Sequence, residues 1–401
     1  MTAPRARALR ISQRILRLLT CAGVLLISSC LAFIPRMEAQ TFTVPLSPEH
    51  MILSQRNFKI PDPRPVEHNW EMVDYLGRQS FHLGRGLAYA KNVEFQDGTI
   101  DVDMAVDDGV FMGVAFRVQS DDAYEVIFFR PGGSGTDQAV QYTPAFLGAN
   151  IWQIYTGPGY TAVAQIPRHQ WIHVRIVVAG LVAKLYLNNA AEPSLVVPDL
   201  KLGHSKGSIG FWGHMGGGYF SNLSVTPDHS GFTDKVTQNF LSGTLTNWEL
   251  SPMFDVSEKT PEVYPDMQNL TWEKVEAENP GMVVINRYRR SPNIDVPERA
   301  ERIRGPVAGS KVVFARTTVH SDQAVVRKMN LAYSDEVVVY LNGKPIYSGN
   351  NTLGFRQHNF IGLFDPYSDA LYLPLNQGDN ELVLAVTEFF GGWGFMCKLA
   401  P

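Results

Sequence analysis

Short runs along the chain alternate apolar and polar positions. In residues 337–341 (VVVYL), Val337, Val339 and Leu341 fall on one face and Val338 and Tyr340 on the other. That period of two is the signature of a strand. Asn342-Gly343 follows, and Ile346-Tyr347 resumes the run. An Asn-Gly pair supplies the positive φ angles of a two-residue hairpin turn. Residues 183–189 (AKLYLNN) end in the same Tyr-Leu-Asn, and Asn188-Asn189 can make a similar turn because Asn tolerates the left-handed region. Further strands are expected at 98–106, 112–119, 124–130, 171–179, 208–212 and 219–226. A second series is expected at 245–250, 272–275, 282–286, 312–319, 325–332, 336–341 and 381–388. No run sustains a helical period. Many short strands separated by Gly, Pro and Asp predict an all-β chain of sandwiches or barrels.

The organisation expected is a cleaved signal peptide at 1–39, one sandwich at 40–228, a linker at 229–235 and a second sandwich at 236–401. Arg5, Arg7, Arg10, Arg14 and Arg17 form a basic head, and the apolar stretch 18–33 that follows is short for a membrane span. Cleavage fits after Met37-Glu38-Ala39 or after Cys30-Leu31-Ala32. Ile27-Ser28-Ser29-Cys30 also resembles a bacterial lipobox, in which Cys30 would be acylated. The expectation is an exported protein: periplasmic, extracellular or an outer-membrane lipoprotein, touching a membrane only through Cys30.

Charge narrows the function. Lys and Arg total 35 against 39 Asp and Glu, a net charge of −4. The one arginine-rich stretch, 287–304, is broken by acids and prolines. No nucleic-acid partner is expected. Only Cys397 remains in the folded part, so neither an internal disulfide nor a cysteine-based zinc site can form. Each module must rest on its hydrophobic core.

Residues 170–178 (QWIHVRIVV), 184–188 (KLYLN), 207–212 (GSIGFW) and 219–225 (YFSNLSV), with Gly98-Thr-Ile-Asp-Val-Asp103 as an early strand, resemble the concanavalin A-like, laminin-G-type jelly roll. That fold hosts lectins, adhesion modules and glucanases. Residues 334–349 (SDEVVVYLNGKPIYSG), 373–386 (LPLNQGDNELVLAV) and 390–395 (FGGWGF), in which Trp393 packs in the last strand, are similar to galactose-binding-like jelly rolls. Together they imply two tandem jelly-roll β-sandwich domains.

No catalytic motif is recognisable, and the reading leans away from an enzyme. Glucanases of the first fold use paired carboxylates in a Glu-x-Asp-x-x-Glu arrangement. Here Asp101 and Asp103 share a face, but no Glu flanks them, and an exposed strand face is the simpler expectation. A hydrolase or lyase would draw on Asp101 or Asp103 with Glu125. The pairs Asp107-Asp108 and Asp121-Asp122 lie in turns. No cofactor is expected, a structural calcium at such turns being the one candidate. His169 and His173 flank Trp171 at strand spacing, with no third zinc ligand placed by sequence. The stretch from 124 to 160 is different. Tyr124, Arg130, Gln141, Tyr142, Trp152, Tyr155 and Tyr160 gather there among Gly-Pro loops. Sugars bind aromatic faces helped by a few hydrogen-bonding groups, so these seven are the candidate ligand residues. The expectation is an exported, non-catalytic protein with a glycan or polysaccharide partner. The alternatives are a glycoside hydrolase or lyase using the first module's groove, and an envelope adhesion protein.

Overall fold

A computed structural model describes residues 40–54, 69–228, 239–290, 309–357, 360–388 and 391–400. The leader with Cys30 and the linker at 229–235 lie outside them. No α-helix occurs among the described residues; strands and three short 3-10 turns account for the regular structure.

The first sandwich faces two antiparallel sheets. One runs Leu195–Val197, Val182–Leu187, Ile172–Ala179, Gly98–Ala105, Gly218–Pro227, Arg78–Leu83 and Trp70–Tyr75. The other runs Ala149–Asn150, Val140–Phe146, Ala123–Phe129, Phe111–Ser120, Ser208–His214, Gly86–Ala90 and Met51–Leu53. Alternation decides which residues turn inward. In Gly98–Ala105, Ile100, Val102 and Met104 are wholly buried, while Thr99, Asp101 and Asp103 keep partial exposure. Ile127, Phe129 and Phe211 from the facing sheet belong to the same core.

The second sandwich pairs a sheet of Glu273–Glu276, Asn247–Leu250, Lys311–Ser321, Gly378–Glu388, Glu336–Leu341 and Lys344–Asn350 with one of Val283–Val284, Gly394–Leu399, Val325–Ser334 and Asp369–Leu375. Val337, Val339 and Leu341 enter its core with Leu384, Val386 and Trp393. Val338 and Tyr340 point the other way, into a smaller cluster with Val312 and Phe314. Both expected hairpin turns have positive φ at their two central residues: 51° and 77° at Asn342 and Gly343, 52° and 58° at Asn188 and Asn189. Trp393 is fully buried, one residue before the last strand, and its Nε1 donates to the Val386 carbonyl at 3.1 Å. Cys397 is a buried free thiol.

From Thr41 onward the described residues form one compact unit. Met282, Val284, Ala332, Phe364 and Met396 of the second sandwich join the first sandwich's core cluster, so apolar packing is continuous between them. Several strands lack a sequence signal. Val140–Phe146 (VQYTPAF) is buried at all seven positions. A strand covered on both faces loses its alternation, and Gln141, Thr143 and Pro144 further disguise it.

Candidate functional site

The seven candidate ligand residues divide between two places. Tyr124, Val126 and Phe128 point outward from the second sheet of the first sandwich and cluster with Leu87, Ala115 and Trp212. Arg130 continues that side. Its guanidinium carbon lies 4.6 Å from the ring centre of Phe128, 5.8 Å from Phe111 and 5.7 Å from Trp152. Gln141 sits opposite Phe128 in the register and accepts from Arg130 Nη2. Its Nε2 donates to the carbonyls of Trp152 and Tyr155 at 2.6 and 2.5 Å, which fixes the amide. Arg130 Nη1 donates to the Gln138 carbonyl at 3.1 Å. No carboxylate among the described residues pairs with Arg130, and burial pushes its pKa down to about 10. Arg130, Trp152, Phe111 and His214 are each half-buried, so this cation and its rings keep contact with solvent.

The opposite end of the same sheet holds a cavity of about 520 Å³ lined by Ile52, Leu53, Tyr89, Ser120, Asp121, Asp122 and Arg290. Arg290 clasps Asp122 with bonds of 3.0 and 2.6 Å, and Asp121 accepts from Ser54 Oγ at 2.6 Å. Asp107 accepts from Gly109 N at 3.1 Å and Tyr219 Oη at 3.2 Å. Among the described residues, no three His, Cys, Asp or Glu side chains group as a metal site.

Tyr142, Tyr155 and Tyr160 lie elsewhere. Adjacent strand positions face opposite sides, so Tyr142 turns inward where Gln141 turns outward. All three tyrosines belong to the buried core. Tyr142 Oη donates to the Glu125 carboxylate and accepts from Lys201 N at 2.9 Å. Tyr155 Oη reaches Glu278 of the second sandwich at 2.5 Å. Tyr160 Oη reaches the Asn279 carbonyl at 3.4 Å. These rings have no open face for a sugar, and they line the seam between the sandwiches.

Glu125 is fully buried, and burial raises its pKa. It points inward from one sheet, while Asp101 and Asp103 point outward from the other. The combination of Asp101 or Asp103 with Glu125 therefore shares no groove, which corrects the expectation of that acidic set.

Asp101 and Asp103 build a polar patch of their own. The register places His173 opposite Asp103 and Arg175 opposite Asp101. The His173 ring bridges the two acids, Nδ1 at 2.9 Å from Asp103 and Nε2 at 3.1 Å from Asp101. Arg175 Nε donates to Asp101 at 2.7 Å. Arg78 Nη1 and Asn222 Nδ2 donate to Asp103 at 2.6 and 2.8 Å. Beside them Tyr75 stacks on Tyr219 at 3.7 Å, and Arg78 lies 5.0 Å over the Trp171 ring. Sequence spacing anticipated that Asp101 and Asp103 share a face. It could not bring Arg78 and Asn222 to them, because no local pattern links these strands. Phe111, Trp212 and His214 were also missed beside Arg130, although the matching parity of Trp212 and His214 was a usable signal.

Residues 61–226 match the model of the 3-keto-alpha-glucoside-1,2-lyase-like domain, less than half of the chain. No curated protein matches. Among solved structures, the carbohydrate binding module CBM66 from Bacillus subtilis is 14% identical, covering 47% of this chain and 98% of that one with a TM-score of 0.30. The Bacillus licheniformis beta-glucanase is 11% identical over 47% and 98%, with a TM-score of 0.31. Domain 4 of AbnA, a GH43 extracellular arabinanase from Geobacillus stearothermophilus in complex with arabinotriose, is 15% identical over 42% and 78%, with a TM-score of 0.27. Scores this low make them loose likenesses, too loose to assign a ligand.

Proposed function

We propose that the protein is an exported, non-catalytic carbohydrate-binding protein whose ligand face is built on Arg130 with Trp152, Phe111 and His214. The observation that carries this reading is Arg130 itself. Its half-buried guanidinium is ringed by aromatic side chains, has no carboxylate partner among the described residues, and gives two of its five N–H donors to Gln138 and Gln141, which leaves further donors for a ligand. It offers a planar fork of donors. Sugar hydroxyls and ring oxygens accept such bonds, while C–H-rich sugar faces stack on rings like Trp152. The match of residues 61–226 to a 3-keto-alpha-glucoside-1,2-lyase-like domain supports a saccharide as the ligand class. The leader and its lipobox-like Cys30 support export. The second sandwich, similar in sequence to galactose-binding-like jelly rolls, is a further carbohydrate-associated module in this reading. Pull-down on a panel of insoluble polysaccharides and glycan-array binding test it: binding must be present and must fall on Trp152→Ala.

The His173 patch favours a second reading, in which the same domain carries acid–base chemistry. A half-exposed imidazole within hydrogen-bond reach of two carboxylates can move a proton, and the three rings beside it give a sugar a surface. In that case His173→Ala abolishes turnover of a 3-keto-glucoside while binding persists. If binding and turnover are both absent in the unmodified protein, neither reading stands.

A further inference from the structure

The four-stranded sheet of the second sandwich carries aromatic and cationic side chains on its outer face. Alternation sets them there. In Asp369–Leu375, Leu371, Leu373 and Leu375 enter the core, so Ala370, Tyr372 and Pro374 face out. In Val325–Ser334, Met329 and Leu331 enter the core, and Val326, Lys328 and Asn330 take the other side. Register then fixes the neighbours. Lys328 lies directly opposite Tyr372, and Asn330 lies between Ala370 and Lys398. Tyr367, in the turn that leads into the edge strand, reaches back over this row. Its hydroxyl accepts from Lys398 Nζ at 3.1 Å, and the same nitrogen lies 5.2 Å from its ring centre.

Two features set this face apart from an ordinary solvated surface. The first is the exposure of both rings, 58% at Tyr367 and 66% at Tyr372. A single exposed ring is commonplace, but two on adjoining rows make an aromatic platform. The second is charge. Neither Lys328 nor Lys398 forms an ion pair among the described residues, and the outward positions of the two strands hold no acid. The acids flanking Tyr367 are engaged elsewhere. Asp369 accepts from Tyr333 Oη at 2.7 Å and from Arg356, and Asp365 accepts from the Tyr367 backbone N–H at 2.8 Å.

This combination favours one occupant. A saccharide chain bearing carboxylates would lay C–H-rich faces on the tyrosine rings, set its carboxylates on the two ammonium groups and give its hydroxyls to the Asn330 amide. A second copy of the same face would set lysine against lysine. A lipid surface is less suited, because the outward positions of these strands hold none of the Trp, Phe or Leu that enter acyl chains.

We propose that the face built by Lys328, Asn330, Tyr367, Tyr372 and Lys398 is a second carbohydrate site, selective for a uronate-bearing polysaccharide. It rests on the carbohydrate reading for the saccharide itself, and is separate from the Arg130 face.

The test uses the full chain. The probes are short galacturonate and mannuronate oligomers, the same oligomers with their carboxylates reduced, and phosphatidylglycerol vesicles. Calorimetry should show binding of at least one uronate oligomer. Carboxyl reduction, Tyr367→Ala and Tyr372→Ala should each weaken it at least about fivefold, and Lys328→Gln about threefold. Added salt should weaken it too, and Trp152→Ala should leave it unchanged. A thermal melt establishes that each variant is folded, and the comparison of native with reduced oligomers decides on the unmodified chain alone. No binding of either uronate oligomer, equal binding of the reduced forms, or undiminished binding in folded Tyr372→Ala and Lys328→Gln would overturn the proposal. So would vesicle binding through these residues without oligomer binding, which would make the face a membrane contact. Loss of oligomer binding in Trp152→Ala but not in Tyr372→Ala would overturn it while leaving the Arg130 reading intact.

Discussion

The Tyr155 hydroxyl donates to Glu278 Oε1 at 2.5 Å, joining a loop of the first sandwich to the second across 123 residues of sequence. The same carboxylate meets Lys201 Nζ at 3.3 Å and Arg287 Nη2 at 2.5 Å. Arg287 lies 4.0 Å over the ring of Phe146, and Lys201 also bonds Asp199 at 2.8 Å. Two cations and one phenol therefore converge on a single acid, and the seam is polar at its centre and apolar around it.

Glu278→Gln should destabilise the protein strongly. It leaves Lys201, only 2% exposed at its side chain, with a weaker set of partners. Breaking a buried pair costs about 3–5 kcal/mol; the 18% exposure of Glu278 points to roughly 3 kcal/mol after screening. Denaturant unfolding at pH 7 measures it.

The same acid gives a pH dependence with a definite sign. Burial pushes the Glu278 pKa up, but Lys201 and Arg287 outweigh burial and hold it below the usual carboxylate value. A folded-state pKa below the unfolded one contributes stability that is present above the unfolded value and lost as pH falls through the folded one. The stability gap between the unmodified protein and Glu278→Gln should hold from neutral pH down to about pH 5 and narrow below about pH 4. Unfolding curves across that range check it, and a gap that widens in acid would contradict it.

Arg117 has no exposed surface. It donates to the carbonyls of Gln96, Gly180 and Gly203 at 2.9, 2.7 and 2.5 Å and to Asp97 at 3.1 Å. Arg117→Met should cost about 3–5 kcal/mol, because it strips partners from three carbonyls and a buried acid. Thermal unfolding reads this directly, and any fraction that folds should retain ligand binding.

Gly343→Ala tests the hairpin turn alone. Its φ is 77°, and the nearest atom to an added Cβ is a Tyr264 ring carbon at 3.9 Å. Steric crowding is absent, so the loss should be the backbone cost of the left-handed region, about 1–2 kcal/mol. Denaturant titration checks it.

Alternation made much of the fold legible. Ile100, Val102 and Met104 could be set against Asp101 and Asp103 from sequence, and Asn342-Gly343 marked its turn. Parity would set Gln141 and Tyr142 on opposite sides once a strand is placed at Val140–Phe146, but no sequence signal placed it. It could not show that the glutamine takes the face with Arg130 and the tyrosine takes the core, because that depends on which sheet covers which side. The seam was invisible for a related reason. Tyr155 meets Glu278, and Gln153 meets residues of the second sandwich, only through the packing of one module on the other.

The most direct test of the carbohydrate reading is quantitative binding of a polysaccharide found by pull-down, compared between the unmodified chain, Trp152→Ala, Arg130→Met and His173→Ala. The prediction is binding that weakens at least about tenfold in the first two variants and persists in His173→Ala, with all four proteins folded by thermal melt. Undiminished binding in folded Trp152→Ala and Arg130→Met, or no binding by the unmodified chain to any polysaccharide, would contradict it.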